Sequence, residues 1–90
     1  MHEINIRSLD LNLLVALKAL LEEKHVTRAA LRVGMSQPAM SHALARLRHV
    51  LNDPLLVKGV GGLDLSTRAI ELYQPLLNIF SEINTKYLNM

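Results

Sequence analysis

The sequence predicts a mainly α domain: a winged helix-turn-helix, built from three helices and a short β-hairpin, followed by one long helix. Three observations predict it. Residues 27–51, TRAALRVGMSQPAMSHALARLRHVL, read as two short helices joined by a tight turn at Gly34 and Met35. Residues 55–66, LLVKGVGGLDLS, set two short apolar runs on either side of a glycine-rich turn, the pattern of a small hairpin. Beyond them, apolar residues recur at helical spacing almost to Met90.

In chain order, Met1 to Arg7 reads as a loose lead-in. The first helix is expected to start near Ser8 to Asp10, with either residue as its cap, and to run to about Glu23. Leu13, Leu17, Leu20 and Leu21 line its core face, with Leu9, Leu14 and Ala16 at the margins. Leu11 and Val15 fall off that stripe beside Lys18 and Glu22, an apolar spill that either a wide core face or another chain would cover. The second helix is expected from Thr27, its cap, to about Val33, with Arg28 and Arg32 exposed. Ala30 is small enough to let the paired helices approach, and Gly34 tolerates the positive φ that the turn requires.

The third helix is expected from about Gln37 to Leu51, with Ser36 as cap and Asp53-Pro54 as its stop. Pro38 is tolerated in the first turn, where no intrahelical N–H is needed. Met40, Leu44, Leu47 and Leu51 form one apolar stripe, which is core. The opposite side carries Pro38, His42, Ala45 and His49, flanked by Ser41, Arg46 and Arg48. That side is the candidate reading surface, because the second helix of such a unit enters the major groove of DNA.

Leu55 to Lys58 is then read as a strand, Gly59 to Gly62 as its turn and Leu63 to Leu65 as the return strand, placed where a wing would lie. No GK[ST] follows the glycines and no strand-to-helix order surrounds them, so a nucleotide site is rejected. Ser66 or Thr67 caps the last helix. One side of that helix holds Ala69, Leu72, Tyr73, Leu76, Ile79, Phe80, Ile83 and Tyr87, and a second strip holds Ile70, Leu77 and Leu88. One small domain cannot cover both, which implies a partner helix. Pro75 falls well inside and is expected to bend the helix or loosen its first turns.

Composition narrows the function. Ninety residues make one domain with a modest core and no room for a large ligand cavity. The absence of cysteine excludes disulfides and thiolate metal sites. The longest apolar run, Leu13 to Leu17, is too short to span a bilayer, and the start lacks the pattern of a secretory signal, so a cytoplasmic protein is expected. The formal charge is only +2, but it is unevenly placed. Residues 25–62 carry Arg28, Arg32, Arg46, Arg48 and Lys58 against Asp53 alone, where a phosphate backbone would need them. His25, His42 and His49 do not make a metal or hydrolytic site. The last two are seven apart rather than the four of a helical zinc pair, and no nearby carboxylate completes a ligand set. Neither an enzyme nor a cofactor is expected. The alternative to DNA binding is a helix-turn-helix used as a protein-interaction or dimerisation module.

With these motifs in place, the chain closely resembles the N-terminal DNA-binding domain of LysR-type transcriptional regulators. The resemblance runs from DLNLL at Asp10 through the final helix. It is carried by TRAALRVGMSQPAMS at Thr27 to Ser41, RLR at Arg46 to Arg48 and NDPLLVK at Asn52 to Lys58. It implies a winged helix-turn-helix over residues 1–65 and a linker helix over residues 66–90. Two linker helices pair antiparallel in that family, which implies a homodimer through Val15, Leu72, Leu76, Ile79, Phe80, Ile83 and Tyr87. Members continue into an effector-binding domain about twice this length or more, so the sequence is read as a truncated regulator or, as the alternative, a naturally short protein. The implied partners are double-stranded DNA, a second copy (with tetramers in the full-length protein) and RNA polymerase, in activation or repression of a promoter.

The same resemblance implies base reading by Gln37, Pro38, Ser41 and His42. A glutamine amide can donate to adenine N7 and accept from its N6–H, and Pro38 and Ala39 can touch a thymine methyl. Backbone contacts fall to Thr27, Ser36, Arg46 and Lys58. The chain departs from the family at His42 and Lys58, where Arg is common, at Gly61, where the wing tip often carries Arg, and at Leu56, where Phe is commoner. A two-fold dimer implies an interrupted inverted repeat with half-sites about one helical turn (~34–36 Å) or a multiple apart. Contact with five or six phosphates per dimer would give a log–log salt slope of roughly −5.

Overall fold

The computed structural model describes residues 10–84. Its elements are α1 (Leu11–Glu23), α2 (Val26–Val33), α3 (Gln37–Leu51), β1 (Leu56–Gly59), β2 (Gly62–Leu65) and α4 (Thr67–Ile83). The expected leading segment, Ser8, Leu9, Tyr87 and Leu88 lie outside the described residues. α1 begins where Asp10 caps it, its Oδ1 accepting from the Leu13 N–H at 2.8 Å. It ends at Lys24, whose left-handed backbone (φ 52°) turns the chain at once into α2.

That abrupt link corrects the expected start of α2. The cap is His25, whose Nδ1 accepts from the Arg28 N–H at 3.1 Å, so Thr27 sits one residue inside the helix, exposed. A neutral imidazole has one lone pair free for this role. The turn after α2 is as expected: Gly34 has φ 73° and the Met35 N–H donates to the Ala30 carbonyl at 2.9 Å.

The three helices of the helix-turn-helix pack on one core. Leu13, Leu17, Leu20 and Leu21 of α1 meet Met40, Leu44, Leu47 and Leu51 of α3, with Ala29 and Ala30 of α2 filling the close approach. Ala16, expected at the margin of α1, is at the centre with no exposure. β1 and β2 pair antiparallel with Leu56 opposite Leu65 and Lys58 opposite Leu63, and Val60 stands fully exposed at the tip.

The strand starts one residue later than expected because Leu55 adopts φ 64°, a conformation outside the ladder. Asp53 holds that turn: its Oδ2 accepts from the Leu55 N–H at 2.8 Å and from the Ser66 hydroxyl at 2.6 Å. Ser66 in turn caps α4, accepting from the Ala69 N–H at 3.0 Å. α4 runs unbroken through Pro75, so its first turns are not loosened. Glu71 and Pro75 are both exposed, which leaves the carbonyl that loses its helical donor accessible to water.

A carboxylate ties α4 to the rest. Glu22 of α1 accepts from the Tyr73 hydroxyl of α4 at 2.5 Å, from Lys18 at 3.2 Å and from Arg32 of α2. Its burial alone would push the Glu22 carboxyl up. The hydrogen bonds from Tyr73, Lys18 and Arg32 outweigh that and hold it below its ordinary value of 4.5. The bond to Glu22 also holds the Tyr73 phenol above its usual range.

The sign of the stability effect follows. A carboxylate with a depressed folded pKa stabilises the fold above its unfolded value, and that contribution is lost as pH falls through the folded one. Wild type should therefore lead Glu22→Gln by about 1 kcal/mol at pH 6, with the gap closing toward pH 3. Urea unfolding at several pH values checks this; a gap independent of pH would contradict it.

Candidate nucleic-acid interface

The exposed end of α3 gathers the residues expected to read bases. Ser36 has an extended backbone and its hydroxyl accepts from the Ala39 N–H at 3.2 Å, which fixes Gln37 as the first helical residue. Pro38 follows, exposed, in the first turn, where its missing N–H costs nothing. The Gln37 Nε2 donates to the Ser41 Oγ at 2.9 Å, one helical turn on. The two side chains therefore hold each other in register, while the Gln37 amide oxygen and the Ser41 hydroxyl proton stay free to meet a base edge. His42 is exposed beside them, and Ala45 and His49 continue the same stripe opposite the buried Met40, Leu44, Leu47 and Leu51. Small Ala39 and Ala45 leave this face low, as close approach to a groove demands.

Charge around that face is more selective than the sequence suggests. Arg28 pairs with Glu23 at 3.6 Å, and Arg32 pairs with both Glu22 and Glu23. Two of the five cations of residues 25–62 are thus neutralised by the end of α1. Arg48, expected to flank the reading surface, instead folds back: its Nε donates to the Pro54 carbonyl at 2.7 Å and its Nη2 to the Leu56 carbonyl at 3.2 Å. It fastens the base of the wing to α3. Arg46 on α3 and Lys58 on β1 are exposed and unpaired among the described residues.

Lys24 reaches the wing, 3.4 Å from the Asp64 carboxylate. That carboxyl is held below its usual range, first by the Leu65 N–H and then by Lys24. Thr27 and Ser36 both stand exposed at the front of their helices, where a phosphate oxygen could be met.

The residues expected to pair two chains divide by position. Leu76 is 4% exposed and belongs to this chain's own core, while Leu72 and Phe80 pack partly against it. Ile79 is 46% exposed, Ile70 61% and Leu11 59%, and Val15 and Ile83 are half-buried. Val15, Ala19, Val33 and Phe80 line an apolar groove of about 200 Å³ between α1, α2 and α4, with Lys18 and Arg32 at its rim. No helix among the described residues is long and apolar enough to cross a membrane, and no cluster of His, Asp or Glu there could hold a metal ion.

Sequence reasoning missed His25 as a cap, since the serine-threonine rule favours Thr27, and it missed the tie at Glu22. The second had a signal available: Lys18 and Glu22 stand four apart on α1, an ion-pair spacing.

Comparison with known proteins agrees with this geometry. Residues 11–69 match the family model described as "Bacterial regulatory helix-turn-helix protein, lysR family". The HTH-type transcriptional regulator SyrM of Rhizobium etli is 55% identical over 75 residues, 83% of this chain and 22% of SyrM. The chain thus spans about a fifth of the length of that relative. Among solved structures, a probable transcriptional regulator, PA0477 from Pseudomonas aeruginosa, superposes with a TM-score of 0.81 at 34% identity, covering 89% of this chain and 27% of the other. The crystal structure of the BenM_DBD/benA site 1 DNA complex superposes with a TM-score of 0.76 at 25% identity, over 86% of each chain. The winged helix-turn-helix with its trailing helix is the architecture these proteins share, and this chain belongs to the lysR family of bacterial regulatory helix-turn-helix proteins.

Proposed function

We propose that this chain is the DNA-binding part of a LysR-type transcriptional regulator and binds double-stranded DNA by sequence, with α3 in the major groove. The observation that carries the reading is the exposed end of α3, where Gln37, Pro38, Ser41 and His42 stand together on the side opposite the core. The relationship to a protein solved with DNA supports it. Residues 1–65 form the reading unit, and residues 66–90 the linker helix that pairs with a second copy. The apolar surface left open by α1 and α4, chiefly Leu11, Val15, Ile79 and Ile83, supports that pairing, with Leu76 beneath it as support rather than contact. A cytoplasmic location and action on RNA polymerase at a promoter belong to the same reading.

The structure lowers the expected salt dependence. With Arg28 and Arg32 engaged by glutamates and Arg48 by carbonyls, Arg46 and Lys58 are the two open cations of residues 25–62, and if these carry the backbone contacts a dimer should show a log–log slope of roughly −4 rather than −5. Fluorescence anisotropy with a labelled duplex between about 50 and 200 mM salt measures it. Lys58→Ala should weaken cognate and scrambled duplexes alike and make the dimer slope shallower by about 2. A loss confined to the cognate duplex would remove Lys58 from the backbone set. Absence of duplex binding even at the lowest salt would turn the reading to a protein-interaction module.

A further inference from the structure

Two kinds of contact join α4 to the helix-turn-helix. The first is apolar: Ala69 and Leu76 are buried, and Leu72, Tyr73 and Phe80 pack partly against the core. Such contacts are non-directional. The second is the polar tie at Glu22. The Tyr73 hydroxyl of α4 donates to Oε2, while Oε1 meets Lys18 of α1 and Arg32 of α2. Lys18 also lies 5.9 Å from the centroid of the Phe80 ring, so α4 touches the cluster twice. Bonds to an ionised carboxylate are strong and directional, and this one is only 17% exposed. Arg32 sits in the last turn of α2, immediately before the Gly34 turn that launches α3. One carboxylate thus connects the helix that pairs the two copies to the helix that aims the reading residues.

We propose that Tyr73, Glu22 and Arg32 form a positioning relay that fixes the angle between α4 and the helix-turn-helix, and so sets the half-site spacing that the dimer accepts. The inference rests on the reading above, in which α4 pairs the two copies and α3 reads the groove. In a two-fold dimer joined through α4, the separation of the two α3 helices is a property of that angle, whereas contact with a single half-site is not. Loss of the relay should therefore broaden the accepted spacing and leave half-site affinity alone.

The test uses the 90-residue chain and duplexes that it selects from a random pool. Each selected site is rebuilt with its central spacer shortened or lengthened by two base pairs, and as a single half-site. Wild type should prefer the selected spacing by roughly tenfold or more, and Tyr73→Phe, which removes one oxygen, should reduce that to roughly threefold or less. Glu22→Gln should do the same, with half-site affinity in both variants within about twofold of wild type. A spacing preference retained in both variants overturns the relay while leaving the dimer reading intact. Equal losses on half-site and full site also overturn it, since they mark a stability effect. A wild-type chain indifferent to spacing overturns the dimer reading and the relay together.

Discussion

Gln37→Ala should flatten the chain's preference among duplexes by roughly 1–3 kcal/mol while leaving its grip on scrambled DNA nearly unchanged. Gln37 is the first residue of α3, exposed, and its amide is steadied by the Ser41 hydroxyl at 2.9 Å. A steadied amide loses less freedom on meeting a base, so its directional bonds go into discrimination. On the proposed reading, truncation removes those bonds and leaves Arg46 and Lys58 to supply the sequence-blind attraction. Competition of cognate against scrambled duplex separates the two effects. Equal losses on both would remove Gln37 from the reading set.

Leu47→Ala should cost 2–5 kcal/mol, roughly a third or more of the stability expected for a domain this size. Leu47 has no exposure and sits midway along the buried stripe of α3, among the largest fully buried side chains. A cavity there is walled by three helices that meet through the short side chains of Ala16, Ala29 and Ala30, which leaves little slack for collapse. Leu47→Met, which keeps the volume, should cost under about 1.5 kcal/mol. Leu31→Ala, at a side chain 75% exposed, should stay within about 0.5 kcal/mol. Urea midpoints give all three values. A Leu47→Ala loss no larger than that of Leu31→Ala would contradict the packing described.

Periodicity revealed the fold because a small helical domain has few ways to bury the leucine-rich faces of α1 and α3. The stripe of Met40, Leu44, Leu47 and Leu51, the Gly34 turn and the Ser36 cap all follow from local rules, and all three appear in place. Where the sequence reading differed, a distant or unusual partner decided. Thr27 is the better cap by residue type, but Lys24 turns the chain early and His25, two residues before Thr27, takes the role. Leu55 reads as a strand residue, but Asp53 and Ser66 close around it and force a left-handed backbone.

Charge was the least legible property. Arg28, Arg32 and Arg48 count as basic in any composition, yet two meet glutamates from α1 and the third meets backbone carbonyls at the wing. The tie between Tyr73 and Glu22 spans 51 residues, beyond the reach of any local pattern. Along α4, spacing grouped Leu76 with Ile79, but only the packing shows that the first faces inward and the second outward.

Selection of bound duplexes from a random pool tests the central claim most directly. A two-fold pair of α3 helices predicts enrichment of an inverted repeat, its half-sites about one helical turn (~34–36 Å) or a multiple apart. Failure to retain any duplex, even at low salt, would contradict it.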